Sequence, residues 1–167
     1  SQTDPDWATY YRSLDVISPW SVGRYADDAG ADSFRSTQIV PDLLAASQAG
    51  AEYMPVVFPG FSWANLNKDA SLLNQIPRRG GAFYWRQIYN ATRSGSRMLY
   101  TAMFDEVDEA TAIFKIASSA SGRPTTGDFL TLAQDGYSLP SDWYLQLAGA
   151  ATEILHGERG NSAGIPI

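Results

Sequence analysis

Met98-Leu99-Tyr100-Thr101-Ala102-Met103-Phe104 is an almost uninterrupted apolar run enriched in aromatic and β-branched residues, the composition of a strand covered on both faces. Such a strand belongs in a parallel sheet wrapped by helices, and this restricts the fold more than any other segment does. The next residues are opposite in character: Asp105, Glu106, Asp108 and Glu109 crowd together before Ala110-Thr111. Charges directly after a parallel strand lie at its carboxyl end, where α/β sheets and barrels place their ligand sites. Carboxylates held this close repel one another, and repulsion lifts at least one pKa toward the range in which a carboxylic acid donates a proton near neutrality. The same cluster also suits a solvated acidic turn or a cation site.

The rest of the chain alternates strand and helix. Leu14-Asp15-Val16-Ile17-Ser18 reads as a short strand that breaks at Pro19-Trp20, and the polar loop Gly23 to Gly30, with Tyr25 inside it, follows. Ser36 or Thr37 is placed to cap a helix with an apolar face of Ile39, Leu43, Leu44 and Ala46, stopped by Gly50. Tyr53 to Phe58 is a second strand, cut by Pro59-Gly60; Asn65 to Ile76 is a loop; Gly81 to Thr92 is helical through Phe83, Tyr84, Ile88 and Ala91, and Gly95 ends it. Beyond the acidic run, a Ser/Gly/Pro-rich linker over 118–127 precedes a strand at Phe129-Leu130-Thr131-Leu132. A last helix, capped by Ser141, runs through Trp143, Leu147, Ala151, Ile154 and Leu155. This alternation predicts right-handed βαβ units in an α/β fold with a parallel sheet. A complete TIM-type barrel needs eight units and about 250 residues. The 167 residues here supply about four units, so the chain is expected to be a single domain, half a barrel.

Composition narrows the partners. A net charge of -6 argues against nucleic acid and against anionic membranes, and no apolar run has the length of a spanning helix. With no cysteine, neither disulfides nor thiolate metal sites can form, and His156, the only histidine, cannot build a metal pair or a triad by itself; it reads as a partner for a helix carboxyl end. Asp105 and Asp108 lack the spacing and glycine of a calcium loop, and no glycine-rich nucleotide motif follows a strand, so neither metal nor cofactor is expected. Asn90-Ala91-Thr92 is a glycosylation sequon, which marks Asn90 as a candidate acceptor and the protein as secreted.

Aromatic residues stand at the same strand ends as the acidic cluster. Trp20-Ser21 follows the first strand and Phe58-Pro59-Gly60-Phe61-Ser62-Trp63 the second. Indole faces beside carboxylates suit a sugar, whose CH-rich face stacks while its hydroxyls bond to acids and amides. Trp20, Trp63, Tyr25, Arg78, Asp105 and Asp108 are therefore candidate substrate contacts. For Trp20 and Trp63 simple core packing is the competing reading; for Arg78 and Arg79, just before a helix amino terminus, it is solvated surface. Trp85 and Trp143 lie within helices and read as core. Asp105 and Asp108 are placed to orient the glutamates.

The motifs Val57-Phe58-Pro59-Gly60-Phe61-Ser62-Trp63, Arg78-Arg79-Gly80-Gly81 with Tyr84-Trp85-Arg86-Gln87, and Phe104-Asp105-Glu106-Val107-Asp108-Glu109-Ala110-Thr111 together resemble the carboxyl-terminal half of glycoside hydrolases of families 71 and 99. The resemblance implies a (β/α)8-barrel architecture and endo-acting cleavage of an α-linked glycan, α-mannan in family 99 and α-1,3-glucan in family 71. Two glutamates separated by two residues mark the family site, and Glu106 and Glu109 match that spacing. By resemblance, Glu106 is the general base that deprotonates a sugar 2-hydroxyl toward an anhydro-sugar, and Glu109 is the general acid on the departing oxygen. Ala110 stands where the family usually has glycine. The other readings are a sugar-binding protein without turnover and a portion of a larger hydrolase. An open parallel half-barrel exposes two strand edges, so association with a second copy or with a separate amino-terminal half is expected.

Overall fold

The computed structural model describes residues 4–167. Asp4 caps the first helix, α1 (Pro5–Arg12), by accepting from the backbone of Asp6 and Trp7, and Pro5 supplies the fixed φ that a first helical turn tolerates. This helix precedes the first element expected from the sequence, the strand over 14–18.

Short parallel strands form the sheet. β1 (Val16–Ile17) pairs with β2 (Glu52–Tyr53), and β3 (Val56–Val57) pairs with β4 (Tyr100–Thr101). β2 and β3 are one extended stretch interrupted at Met54-Pro55. Glu52 and Met54 donate to Asp15 and Ile17 on one side, while Pro55 and Val57 accept from Tyr100 and Ala102 on the other. Backbone groups of alternate residues point to opposite edges of a strand, so segment 52–57 lies between β1 and β4. Proline has no N–H to give, and Pro55 uses only its carbonyl.

Helices follow the strands. Asp27 caps α2 (Asp28–Phe34) through Gly30, and a π-helical turn, Arg35–Ile39, carries α2 directly into α3 (Val40–Ala49). Ser36 and Thr37 therefore do not cap a helix: they sit inside one, and both hydroxyls turn back to the Ser33 carbonyl. Gly50, at φ +76°, stops α3 as expected. Of its expected apolar face, Ile39 and Ala46 are buried but Leu44 is exposed. After the short α4 (Ala64–Asn67), α5 (Ala82–Arg93) is buried on nearly every side and joins Tyr84, Trp85 and Ile88 to Val57 and to Tyr144, Leu147, Ala150 and Ala151 of α6 (Trp143–Leu155). A second cluster, Tyr25, Ala31, Phe58, Phe61, Ile76 and Phe83, underlies the aromatic segment, and a third, Ile39, Ala46, Ala51 and Tyr53, seats α3 on β2.

Two elements differ from expectation at the carboxyl side. Phe129 to Leu132 is not a strand: it is irregular chain and turn that pairs with no strand, tied instead by the Leu132 amide to the Ala117 carbonyl. Leu132 is buried in the cluster of α5 and α6, and Phe129 and Leu130 are half-buried, so burial alone explains the composition that reads as a strand. Ser141 does not cap α6, whose first turn follows Asp142. No helix among the described residues is long and apolar enough to cross a membrane.

Candidate active site

Residues 104–114 close into a compact loop at the carboxyl end of β4. The Phe104 carbonyl accepts from Ile113 and Phe114, and the Glu106 carbonyl accepts from Thr111 and Ala112 at 3.1 and 3.0 Å. The aromatic segment after β3 docks against it: Ser62 donates its amide to the Glu109 carbonyl at 2.8 Å, and the Asn65 side chain donates to the Asp108 carbonyl at 3.0 Å. Trp63, between those two anchors, is half-buried against Phe61, with ring centroids 4.4 Å apart. The segment that carries Trp63 is thus tied to the loop that carries the glutamates.

Ala110 closes the loop at φ +59° and is buried. An L-residue pays about 1–2 kcal/mol for this left-handed conformation, which glycine adopts freely. Ala110→Gly relieves that strain and loses some unfolded-state restriction, a net gain of about 0.5–1 kcal/mol. A melt of the variant is expected to rise; a fall would mean that the loop is held by the alanine methyl.

The electrostatics separate the carboxylates. A hydrogen bond with Asp108 and the Asp108 charge, then partial desolvation and the Glu109 and Asp105 charges, raise Glu106 from 4.5 to about 7. Glu109 is raised by burial first and by Asp108 second. Asp108 therefore acts on both glutamates. Between about pH 4.5 and 7 the folded chain holds a proton on Glu106 that the unfolded chain has released. The native state binds more protons there, so stability falls as pH rises across that window. Asp108→Asn removes the first two causes: the Glu106 carboxyl, followed by its carbon chemical shift, is expected to titrate closer to 4.5, with a flatter stability profile. An unmoved Glu106 titration would contradict this account.

The remaining sequence candidates distribute unevenly. Asp105 and Asp108 are exposed on the loop. Tyr25 packs as core, buried among Phe34, Phe58 and Phe83 with its hydroxyl donating to Gln87, and reaches the surface only at the groove that Trp20 lines. Trp20 is half exposed and lines a groove of about 1190 Å3 with Tyr11, Phe34, Thr37 and Tyr53; none of the acidic-loop carboxylates lines it. Arg78 is neither solvated nor a surface contact, being buried with its guanidinium on the Ala112 carbonyl and over the Tyr144 ring. Asn90 cannot carry a glycan in this fold, since it is buried in α5 with its amide donating to Asp32. Among the described residues no group of three or more acidic, histidine or cysteine side chains is placed to hold a metal ion.

Two organising residues stand outside the sequence candidates: Gln87, which closes the Tyr84-Trp85-Arg86-Gln87 motif, and Asn65. Gln87 accepts from the Phe58 amide and donates to the Phe58 carbonyl, fixing the chain as it leaves β3. Asn65 bridges the acidic loop to Asp128 as well as to Asp108.

Parallel strands alternating with helices, and an acidic loop at a strand's carboxyl end, define an α/β architecture. Two solved structures share it: a GH99 endo-α-mannosidase from Bacteroides thetaiotaomicron in complex with BIS-TRIS-propane, and the GH99 endo-α-mannosidase from that organism without it. The first is 18% identical with a TM-score of 0.66 over 89% of this chain, and the second 17% identical with a TM-score of 0.66 over 87%. This chain spans only 42% and 39% of their lengths. The likeness is one of fold to part of a GH99 enzyme. No family model matches the sequence, and no curated protein matches it.

Proposed function

We propose that this chain carries the catalytic half of a retaining glycoside hydrolase acting on an α-linked glycan. The observation that carries the proposal is one loop presenting two glutamates with raised pKa values, hydrogen-bonded through its backbone to the segment that holds the half-buried Trp63. A base near pKa 7 and a carboxylic acid lifted above its ordinary value are the pair that proton transfer at neutral pH requires. In the reaction Glu106 removes the proton of the sugar 2-hydroxyl, O2 attacks C1, the C1–oxygen bond breaks, and Glu109 protonates the departing oxygen. Water then opens the anhydro ring at C1, giving its proton to Glu109 while Glu106 returns its proton to O2. Two inversions leave the anomeric configuration retained. Backside attack needs O2 anti to the leaving group, which α-mannosides provide and α-glucosides do not, so the mechanism favours α-mannan over α-glucan.

Barrel closure by a second copy or by a separate amino-terminal half belongs to the same proposal, supported by the outer edges of β1 and β4, which pair with no strand among the described residues. Extracellular action now rests on the polymeric substrate, since the sequon gives it no support. A second reading, sugar binding without turnover, is favoured by the span of only about two-fifths of the neighbouring enzymes. Release of reducing ends from α-mannan, assayed with the mass in solution, separates the two: turnover supports the hydrolase, and binding without product supports the second reading. If Trp63 stacks on the sugar, Trp63→Ala weakens binding by about 1–3 kcal/mol and leaves the melt nearly unchanged. A stability loss of about 3 kcal/mol or more would return Trp63 to the core.

A further inference from the structure

Arg78 is a buried cation that forms no ion pair among the described residues. A charge in that position needs a reason, because desolvating it is costly unless its donors are used. One donor is used on the acidic loop: Nη2 reaches the Ala112 carbonyl at 2.7 Å, and the guanidinium carbon lies 4.6 Å from the centre of the Tyr144 ring. The Tyr144 hydroxyl is buried beside the guanidinium, and its interaction with Arg78 favours the charged arginine against the cost of burial. The surroundings are shaped to keep the side chain there. A Cβ on Gly60 would lie 2.8 Å from Arg78 Cγ, and the turn after Arg78 packs Gly80 and Gly81 directly beneath Tyr137 and Leu147. Both glycines have positive φ, at +61° and +95°. On its far side, Ala112 donates its own amide to the Glu106 carbonyl.

We propose that Arg78 is a positioning residue for the glutamate loop, acting through the Ala112 peptide to hold the backbone from which Glu106 and Glu109 project. The catalytic consequence rests on the hydrolase reading above, while the structural consequence does not. A flexible ammonium cannot reproduce a planar fork that stacks on Tyr144 while reaching a carbonyl, and a thioether leaves that carbonyl unpaired. Native-state amide exchange reads this directly at Thr111, Ala112, Ile113 and Phe114, with Ile88 of α5 as the internal standard. In Arg78→Met the four loop amides are expected to exchange at least about tenfold faster, with Ile88 changed by less than about threefold; in Arg78→Lys they accelerate about threefold. In the hydrolase assay Arg78→Met is expected to lower kcat by about ten- to a hundredfold with KM within about threefold, and Arg78→Lys to recover part of the loss.

If the chain hydrolyses nothing, the hydrolase reading fails and the exchange comparison still decides the role of Arg78. Unchanged loop exchange, or equal acceleration of Ile88 and the loop, would overturn the proposal by reducing Arg78 to packing. If Arg78→Met does not fold, Arg78→Lys decides alone: selective loop acceleration supports the positioning role, and wild-type exchange overturns it.

Discussion

Glu109→Gln is expected to lower turnover of a natural α-glycan by about a thousandfold, within the range that general acid catalysis supplies, while ligand affinity stays within about tenfold. The amide keeps the shape of the side chain and loses its proton. The loop survives the change, because Glu109 is held to the aromatic segment by its backbone carbonyl on the Ser62 amide rather than by its carboxyl group. Glu106→Gln should cost as much, for a different reason: the base is gone and the anhydro ring cannot form. An activated aryl leaving group departs without an acid, so it rescues Glu109→Gln and not Glu106→Gln. Equal rescue of both would refute the division of roles, and undiminished turnover in Glu109→Gln would remove Glu109 from the chemistry.

Trp85→Ala should destabilise the chain by about 3–5 kcal/mol, a large share of the 5–15 kcal/mol that holds a typical domain together. Trp85 is almost wholly buried at the centre of the largest core cluster, and its indole N–H donates to the Ser162 carbonyl at 3.0 Å. Truncation opens a cavity between α5 and α6 and leaves the carbonyl that anchors the carboxyl-terminal tail without its donor. Trp20→Ala is the control: half exposed, it should move the denaturation midpoint little, about 0.5 kcal/mol or less. Urea unfolding measures both, and a loss below about 1 kcal/mol for Trp85→Ala would mean that α5 is not the keystone of this core.

Periodicity and punctuation carried the sequence reading where local chemistry decides the structure. Gly50 and Gly95 end helices because a positive φ suits glycine, and the apolar face of Phe83, Tyr84, Ile88 and Ala91 is buried as its spacing requires. The resemblance to family 99 agrees with the fold of the solved neighbours. Misreadings came where tertiary context overrides the pattern. Phe129 to Leu132 has a strand's composition but no strand to pair with, and burial explains it without a ladder. Ser36 and Thr37 look like caps, yet Asp27 already starts the helix and the π-turn carries it past them. Tyr25 and Arg78 are polar-tipped residues near the right loops, and only the fold shows that both tips are spent inside, on Gln87 and on Ala112. Burial likewise disqualifies Asn90, because a sequon encodes no accessibility. The acidic cluster was legible because its chemistry is written in consecutive residues; its supports, Gln87 and Asn65, come from distant parts of the chain.

The central claim is that Glu106 and Glu109 cleave an α-linked glycan with retention through an anhydro-sugar. Proton NMR of an α-mannan digest, recorded in the first minutes before mutarotation, tests it most directly. The account predicts that the α-anomeric reducing end appears first and decays toward equilibrium. A β-anomer appearing first would contradict the retaining mechanism, and no new reducing end in the presence of bound glycan would contradict catalysis by this loop.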